Sequence, residues 1–414
     1  MSIFRPFKGY RPKKENVNKV ASRPYDVLNS DEARIEVKGN PYSFLHVVKP
    51  EVDLDVNVDL HSQIVYDKAK SNLQKLISDG MFIKDEKPFY YIYAQTMRGK
   101  TQYGLVGCSG VEDYMNNIIK KHELTRPDKE EDRMNHVRNT NVNAEPVFFT
   151  YRDNKKIDEI VNSVIKANPE YDFTTEDDFG HHFWIINDEN YINAIQKIFT
   201  EEVKYQYVAD GHHRTAAAAL VGNERKKNNP NHTGNEEYNF FLSVIFPASQ
   251  LTIIDYNRVV KDLNGLSETE FIKKLEKSFD ITEKGAKYKP CCLHNFAMYI
   301  GGKWYSLKAK DDTYKENDPI GVLDVTILTN EVLEPILDIK DLRRSERIDF
   351  VGGIRGLGEL QKRVDNGEMK AAFALFPVTM DQLMDIADNN LIMPPKVTWF
   401  EPKLRSGLVF HDLE

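Results

Sequence analysis

The sequence predicts a mixed α/β protein of the α+β class with two parts, and three observations predict it. Short β-prone runs, such as residues 89–94 and 102–108, alternate with amphipathic helical segments, such as 61–80. Residues 205–220 pass from an alternating, β-prone stretch into a small, apolar, helix-favouring stretch through a few polar residues. Beyond residue 261 the pattern changes to helix, hairpin and further helices, which predicts a separate α+β unit over 262–414.

Composition and charge limit the class of protein. The chain has 414 residues, of which 41% are hydrophobic and 29% charged, as is ordinary for a globular protein of two or three domains. Its net charge of -8 argues against a nucleic-acid partner bound through a broad basic face. Cys108, Cys291 and Cys292 form no Cys-x-x-Cys pair, so zinc and redox motifs are not indicated.

Targeting signals are not indicated either. The N-terminal residues lack the apolar h-region of a signal peptide. No apolar run reaches the roughly 18 residues that a membrane-spanning helix needs. We therefore expect a cytoplasmic protein without a membrane partner, which the few cysteines also favour.

The elements of the first part follow from local patterns. A helix over 61–80 is predicted by apolar residues at helical spacing and by Asp79-Gly80, which is typical of a helix end. Two β-prone runs joined by Arg98-Gly99 predict a hairpin. The same criteria predict strands at 145–151, 181–186, 205–208, 238–247 and 251–256, and helices at 157–167, 189–199 and 215–220. Residues 222–237 are polar and predict a mobile loop.

Residues 118–138 are almost all charged. We interpret them as a solvated, functional linker, in which a solvated helix and a site loop stay open as alternatives. In the second part, Ser267 and Glu270 form a capping-box pattern that starts a helix over 267–278. A hairpin at 297–307 and helices at 323–336 and 380–389 follow, and glycine-rich residues 351–358 predict a turn opening a helix.

The segment Asp210-Gly-His-His-Arg214 is the strongest candidate for a functional site. A strand that ends in a Gly-containing turn and opens a helix directs backbone N–H groups and the positive end of the helix dipole outward. Arg214, His212 and His213 add cationic or hydrogen-bonding groups to this turn, and Asp210 adds a carboxylate for a metal, a ribose or a proton. The alternative is a purely structural turn, with Asp210 as helix cap and Gly211 as tight turn.

Three other segments are unusually polar. Arg23-Pro-Tyr25-Asp26 places a carboxylate after a rigid turn, which fits a turn cap equally well. A second segment carries His122, Glu123, Thr125, Arg126 and Arg133, and a third, over 393–407, carries Lys396, Thr398, Lys403 and Arg405. This mixture of carboxylates, cations and hydroxyls, without metal-ligand spacing or a Ser-His-Asp signature, fits phosphoryl transfer.

Several of these motifs resemble a known family. The motifs follow one another in the same order as in that family, and the resemblance covers nearly the whole chain, from residue 3 to about 410. The motifs are Ile3-Phe-Arg-Pro-Phe7, Arg23-Pro-Tyr-Asp-Val27, Asn40-Pro-Tyr-Ser-Phe44, His122-Glu-Leu-Thr125, Glu131-Asp-Arg133, Ala209-Asp-Gly-His-His-Arg214 and Met393-Pro-Pro-Lys-Val-Thr-Trp-Phe-Glu-Pro-Lys403. On the basis of these motifs the sequence is identified as a member of the DUF1015 family, whose name denotes a domain of unknown function.

The Asp210–Arg214 core also resembles the nucleotide loop of the ParB/sulfiredoxin superfamily, in which free-serine kinases carry a similar Asp-Gly-His-x-Arg segment. The resemblance implies a ParB/sulfiredoxin-like nucleotide-binding core and a kinase that converts L-serine to O-phosphoserine with ATP or ADP and Mg²⁺. About 180 residues separate Asp26 from Asp210, more than a minimal core of this type holds. Large insertions are therefore implied within the nucleotide- and substrate-binding region, 1–261, while the loop 393–407 of the second domain is expected to return to the site.

By position, the resemblance assigns roles to these segments. Gly211, His212, His213, Arg214 and Thr215 would bind the nucleotide, Asp210 would hold Mg²⁺, and Asp26, Asp210 and His212 would be catalytic. The substrate would contact residues from all three polar segments: Arg23, Tyr25, His122, Glu123, Thr125, Arg126, Arg133, Lys396 and Lys403. A homodimer is compatible with this scheme. The alternative is a ParB-like nucleotide-binding regulator, or a slow NTPase, without transfer to a small molecule.

Overall fold

The computed structural model describes residues 2–342 and 344–414, which fall into two compact units. The first extends to Leu251 and also includes Pro402–Glu414, and the second is Thr252–Glu401. The boundary expected after residue 261 therefore lies after Leu251 instead, because the strand Tyr256–Val260 pairs with strands of the second unit.

The first unit combines one large sheet with helices. Its strands are β1 Phe4–Arg5, β2 Tyr10–Pro12, β3 Phe82–Lys84, β4 Tyr90–Met97, β5 Lys100–Gly110, β6 Ile119–Lys120, β7 Val142–Asn143, β8 Val147–Tyr151, β9 Tyr171–Thr174, β10 Gly180–Ile186, β11 Gln206–Asp210, β12 Phe240–Pro247 and β19 His411–Asp412. Its helices are α1 Val17–Val20, α2 Ser30–Glu36, α3 Leu45–Val48, α4 Gln63–Ser78, α5 Val111–Met115, α6 Pro127–Thr140, α7 Lys155–Val164, α8 Glu189–Glu201 and α9 His212–Asn228.

The main sheet has the strand order β6-β11-β8-β12-β5-β4-β10-β9, and β1 pairs with β5. Ser109 Oγ on β5 donates to Gln206 Oε1 on β11 at 2.7 Å, although β8 and β12 lie between these strands in the order. The sheet must therefore curl so that β5 and β11 approach each other. Apolar side chains fill the resulting core, and Ile92, Phe149 and Ile245 are fully buried there.

Most predicted elements of this unit are present. The predicted hairpin is β4–β5, with Arg98 and Gly99 both at positive φ in its turn. The strand-to-helix change at 205–220 is β11 followed by α9, whose alanines pack closely on the sheet because Ala216, Ala217 and Ala219 lack bulk.

For residues 118–138 the structure decides between the alternatives that the sequence left open. They form β6 and most of α6, and this helix buries Asp132 and His136 against distant partners instead of being fully solvated. Two other predictions for this unit are wrong. The predicted mobile loop 222–237 is helical as far as Asn228, since Gly222 lets α9 approach the Tyr238 carbonyl closely. The predicted strand 251–256 contains only an isolated bridge at Ile253 before the next strand begins at Tyr256.

The second unit has one antiparallel sheet, in the order β14-β16-β15-β18-β13-β17. Its elements are β13 Tyr256–Val260, α10 Glu268–Leu275, β14 Phe279–Lys284, β15 Asn295–Ile300, β16 Lys303–Ala309, α11 Asp324–Leu328, β17 Ile348–Gly352, α12 Gly356–Asp365, β18 Ala371–Ala374 and α13 Met380–Asp388. The predicted capping box at Ser267 and Glu270 opens α10, and α11 continues as a π-helical turn over Thr329–Leu333. The two units together confirm the mixed α+β class.

Within residues 2–342 and 344–414, no helix is both long enough and apolar enough to cross a membrane.

Candidate functional site

The turn between β11 and α9 leaves a helix N-terminus open. Gly211 has a φ of 83°, in the left-handed region that favours glycine, and α9 begins at the next residue. Gly211 has no side chain to cap this end, and the first intrahelical bond runs from the Thr215 N–H to the Gly211 carbonyl. The N–H groups of His212, His213 and Arg214 thus have no acceptor within the helix. Such an end attracts anions, phosphate above all.

Asp210 lies beside this helix end as a paired carboxylate. Its Oδ1 accepts the Gly211 N–H at 2.8 Å, and its Oδ2 accepts a hydrogen bond from Lys403 Nζ at 2.7 Å. Burial raises the pKa of Asp210, but the charges of Lys403 and Arg214 hold that pKa well below its usual range. Asp210 is therefore ionised at neutral pH.

Arg214 packs directly against the turn. Its NH1 donates to the Pro146 carbonyl at 3.0 Å, and its NH2 lies 3.4 Å from Asp26 Oδ2. The Nε atom is buried without a hydrogen-bond partner among the described residues. A Cβ at Gly211 would lie 3.2 Å from this Nε, so a larger residue there would press on the guanidinium. The guanidinium thus has unused donor capacity beside the helix end.

Two buried imidazoles meet next to the turn. The rings of His122 and His212 are perpendicular with centroids 4.5 Å apart, and the residues are only 1% and 7% exposed. The Nε2 of His212 lacks a hydrogen-bond partner among residues 2–342 and 344–414, whereas the His122 ring approaches the Val208 carbonyl. Burial lowers the pKa of His212 to about 4 and that of His122 well below its usual value, so both rings are neutral. Buried polar atoms without partners are rare in proteins and indicate a ligand or water in this place.

His213 and Thr215 have their polar atoms engaged within the protein. His213 Nε2 accepts the backbone N–H of Arg126 at 3.1 Å, which ties α9 to the start of α6. Thr215 is fully buried, and its hydroxyl donates to the Gly211 carbonyl at 3.0 Å. The Thr215 hydroxyl therefore supports the first turn of α9 rather than facing a ligand.

The segment around Tyr25 and Asp26 forms one wall near Arg214. Tyr25 begins a short 3₁₀ helix, and the Arg133 guanidinium lies 4.1 Å from its ring centroid. Burial raises the pKa of Tyr25 to about 12, so its phenol stays protonated. Asp26 is partly exposed and faces Arg214.

Glu145 is a further residue of this wall that the sequence did not predict. Its Oε1 accepts the Tyr25 N–H at 3.1 Å and the Ser406 hydroxyl at 2.8 Å. Burial raises the pKa of Glu145, against the opposing effect of Arg214. The one available signal was an acidic residue at the start of an otherwise apolar strand, and that pattern alone does not separate a site residue from a strand end.

Lys403 is held in place by its neighbours in the first unit. Its carbonyl accepts a hydrogen bond from Gln95 Nε2 at 2.9 Å, and the Arg405 N–H lies 3.3 Å from the Tyr93 hydroxyl. Ser406 pairs with Ser22 through two backbone hydrogen bonds. The ammonium of Lys403 is thus positioned against Asp210 by a fixed backbone.

Other predicted substrate residues have partners elsewhere. Arg23 donates to Glu36 at 2.7 Å, and the exposed Arg126 side chain pairs with Asp128 at 2.7 Å. Thr125 donates to Glu130, and Arg133 pairs with Asp132 at 2.7 Å while covering Tyr25. Glu123 approaches the pair of imidazoles, with its Oε2 at 3.7 Å from His212 Nδ1. Lys396 lies in the second unit, where its Nζ is 5.9 Å from the Tyr256 ring centroid.

The sheets and helices of the two units define a mixed α+β protein. The chain belongs to the DUF1015 family, described as a protein of unknown function, with which it matches over residues 4–326. The expected Met393–Lys403 motif lies beyond that match. No curated protein matches the sequence.

Solved structures show a distant likeness. A free serine kinase in complex with AMP is 13% identical, with a TM-score of 0.33 over 72% of this chain and 86% of that one. A conserved hypothetical protein from Pyrococcus furiosus is 13% identical, with a TM-score of 0.32 over 72% and 90% of the two chains. SbnI with a C-terminal truncation, from Staphylococcus aureus, is 10% identical, with a TM-score of 0.36 over 73% and 85%.

Proposed function

We propose that this protein is a nucleotide-dependent kinase that transfers a phosphoryl group to the hydroxyl of a small molecule, free L-serine in the first place. The observation that carries the proposal is the N-terminus of α9 after Gly211, beside the unpartnered Nε2 of His212 and Nε of Arg214. Buried donors without acceptors beside an open helix end are complementary to a phosphate.

The phosphate end of the nucleotide would lie on this turn. The first-turn N–H groups of α9 and the Nε of Arg214 would donate to phosphate oxygens. Lys403 would contribute a point charge from the opposite side of Asp210. His122 and His212, each neutral, could donate one ring N–H without adding charge.

Asp26 fits the role of the base that accepts the hydroxyl proton. It is partly exposed, so a substrate can approach it, and Arg214 is the donor that faces its carboxylate among the described residues. Glu145 fits that role less well, because it is only partly exposed and its Oε1 is held by Tyr25 and Ser406. Glu145 would instead hold the wall that carries Asp26.

Mg²⁺ would supply charge neutralisation on the transferring phosphoryl group. Among residues 2–342 and 344–414, no group of three His, Cys, Asp or Glu side chains could hold a metal by itself. That arrangement suits Mg²⁺, which binds through one or two carboxylates together with substrate phosphates. Asp210 would offer such a carboxylate only after its Oδ2 exchanged Lys403 for the ion.

The choice of serine rests on the resemblance of Asp210–Arg214 to the corresponding segment of free-serine kinases, as does the assignment of the core to the ParB/sulfiredoxin type. An amino-acid acceptor needs a cation for its carboxylate and an anion for its ammonium group. The wall around Tyr25 contains one group of each sign, Arg133 and Asp26, but Arg133 is paired with Asp132, so a substrate carboxylate would have to share it.

The test is a transfer assay with the full chain, L-serine, Mg²⁺ and either ATP or ADP, in which O-phosphoserine is measured by mass spectrometry. The proposal expects product with one of the two nucleotides, and at least about a hundredfold less with Arg214→Ala, since charged hydrogen bonds to a transferring phosphoryl group are strong. Lys226→Ala is the matched control, because Lys226 is a cation of the same helix that pairs with Glu112 on the surface. No phosphoserine above the protein-free control, or equal product from Arg214→Ala, contradicts the proposal.

The alternative function is a nucleotide-binding regulator without transfer. One observation favours it: both oxygens of Asp210 already accept hydrogen bonds, from Gly211 and Lys403, which leaves this carboxylate engaged. Nucleotide binding by calorimetry, without phosphoserine in the assay above, would support the regulator and reject the kinase.

A further inference from the structure

Two neighbouring cysteines in the second unit have their sulfur atoms in contact. Cys291 and Cys292 lie in the connection between β14 and β15, both are exposed, and their Sγ atoms are 3.4 Å apart. The third cysteine, Cys108, is fully buried on β5 in the first unit. The chain therefore has two accessible thiols next to each other and one that solvent does not reach.

A neighbouring side chain holds the backbone and one sulfur of the pair. Asn295 Nδ2 donates to Cys292 Sγ at 3.1 Å and to the Leu293 carbonyl at 3.1 Å, which fixes the loop at the start of β15. The thiolate is the nucleophilic form of a cysteine, and both thiols are open to solvent and to a small reactant.

We propose that Cys291 and Cys292 form a redox-active vicinal dithiol whose substrates are low-molecular-weight disulfides. The thiolate of one of the two cysteines attacks one sulfur of the small disulfide, which forms a mixed disulfide and releases one small thiolate. The other cysteine then loses its proton to solvent and attacks the protein sulfur of the mixed disulfide, which forms the Cys291–Cys292 disulfide and releases the second small thiolate. The dithiol is oxidised by two electrons, and the small disulfide is reduced to two thiols.

The product disulfide is of the reversible kind. Adjacent Cα atoms are about 3.8 Å apart across a trans peptide. Most protein disulfides join Cα atoms about 4.4–6.8 Å apart, and bonds outside that range are strained and easily reduced. A cross-link between adjacent residues is therefore a reversible modification rather than a structural bond.

The experiment treats the reduced full chain with oxidised glutathione and follows its intact mass after acid quenching. The wild type is expected to lose two hydrogen atoms, with peptide mapping placing the bond between Cys291 and Cys292. In Cys292→Ser the glutathionyl adduct on Cys291 is expected to persist at least about tenfold longer than in the wild type, because its resolution is no longer intramolecular. Cys108→Ser is the matched control and is expected to behave as the wild type.

Three results would overturn the proposal. The first is a wild type that remains unmodified by oxidised glutathione. The second is a wild type that accumulates glutathionyl adducts without losing two hydrogen atoms. The third is a wild type that forms disulfide-linked dimers. The test depends only on the second unit and on the wild-type mass, so its outcome is separate from that of the kinase assay.

Discussion

Lys403 and Asp210 are 193 residues apart in the sequence, yet Lys403 Nζ donates to Asp210 Oδ2 at 2.7 Å. This ion pair joins the C-terminal segment of the first unit to the turn that opens α9. Because the pair is only partly exposed, each charge depends on the other for compensation. The same pair would have to rearrange when a phosphate or Mg²⁺ enters the site.

The pair predicts coupled effects on stability. Lys403→Met and Asp210→Asn should each lower the free energy of unfolding by about 1–3 kcal/mol, because each leaves the partner charge uncompensated. The double variant should lose clearly less than the sum of the two. Urea unfolding of the four proteins measures this coupling, and strictly additive losses would show that the contact contributes nothing.

The pH dependence of this contribution follows from the depressed pKa of Asp210. A carboxylate with a folded pKa below its unfolded value stabilises the protein above the unfolded pKa, and that stability is lost as the pH falls through the folded value. We expect wild type and Asp210→Asn to differ most in pH dependence below about pH 4, the unfolded pKa of aspartate. Acid titration of both proteins by circular dichroism tests this, and parallel curves would contradict it.

Gly211→Ala should disable the anion site. The residue would be strained at a φ of 83°, by about 1–2 kcal/mol. Its Cβ would also press on the Arg214 guanidinium. Gly234→Ala is the matched control, since Gly234 has a φ of 92° but no atom within 4 Å of the added Cβ. In isothermal titration, Gly211→Ala should bind ADP at least about tenfold more weakly than the wild type, while Gly234→Ala should bind it as the wild type does. Equal affinities of all three proteins would contradict a phosphate-binding site at this turn.

His212 should make stability depend on pH. Burial lowers its pKa to about 4, below the value of about 6.5 in an unfolded chain. The unfolded state therefore binds the proton first, so stability is full above about pH 6.5 and is lost as the pH falls towards 4. This one group accounts for up to about 3 kcal/mol over that range. His212→Asn should flatten the stability profile measured by urea unfolding at each pH, and an unchanged slope would contradict a buried neutral imidazole.

Asp26→Asn should separate binding from transfer. If Asp26 accepts the proton of the acceptor hydroxyl, the variant should lose about a hundredfold or more in kcat, because general bases contribute that much. Its affinity for ADP should stay within about twofold, since its amide still faces Arg214 as an acceptor. Transfer at the wild-type rate would remove Asp26 as the base and leave the phosphate site unaffected.

Local patterns predicted the central turn because all its determinants are adjacent in sequence. The alternation of β11, the left-handed Gly211 and the alanine run of α9 each act over a few residues. The family motif at Lys403 also pointed to a residue that contacts Asp210. The strand pairing itself required the structure, because β11 lies between β6 and β8, which come from distant parts of the chain.

Long-range compensation explains what the sequence did not predict. Half of the 14 residues of helix α6 are charged and few are apolar, so hydrophobic periodicity could not reveal it. Its buried groups are compensated from elsewhere, as Asp132 accepts the Tyr66 hydroxyl and His136 meets the Val47 carbonyl. Glu145 was missed for the same reason, because its partner Ser406 lies 261 residues away.

The central claim, that the start of α9 binds the phosphates of a nucleotide, is tested most directly by comparing ADP with adenosine in isothermal titration. We predict that the wild type binds ADP and that Arg214→Ala and Lys403→Met each weaken ADP at least about tenfold while leaving any adenosine affinity unchanged. Lys226→Ala should match the wild type. The claim is contradicted if the wild type does not bind ADP, or if both variants bind it as tightly as the wild type does.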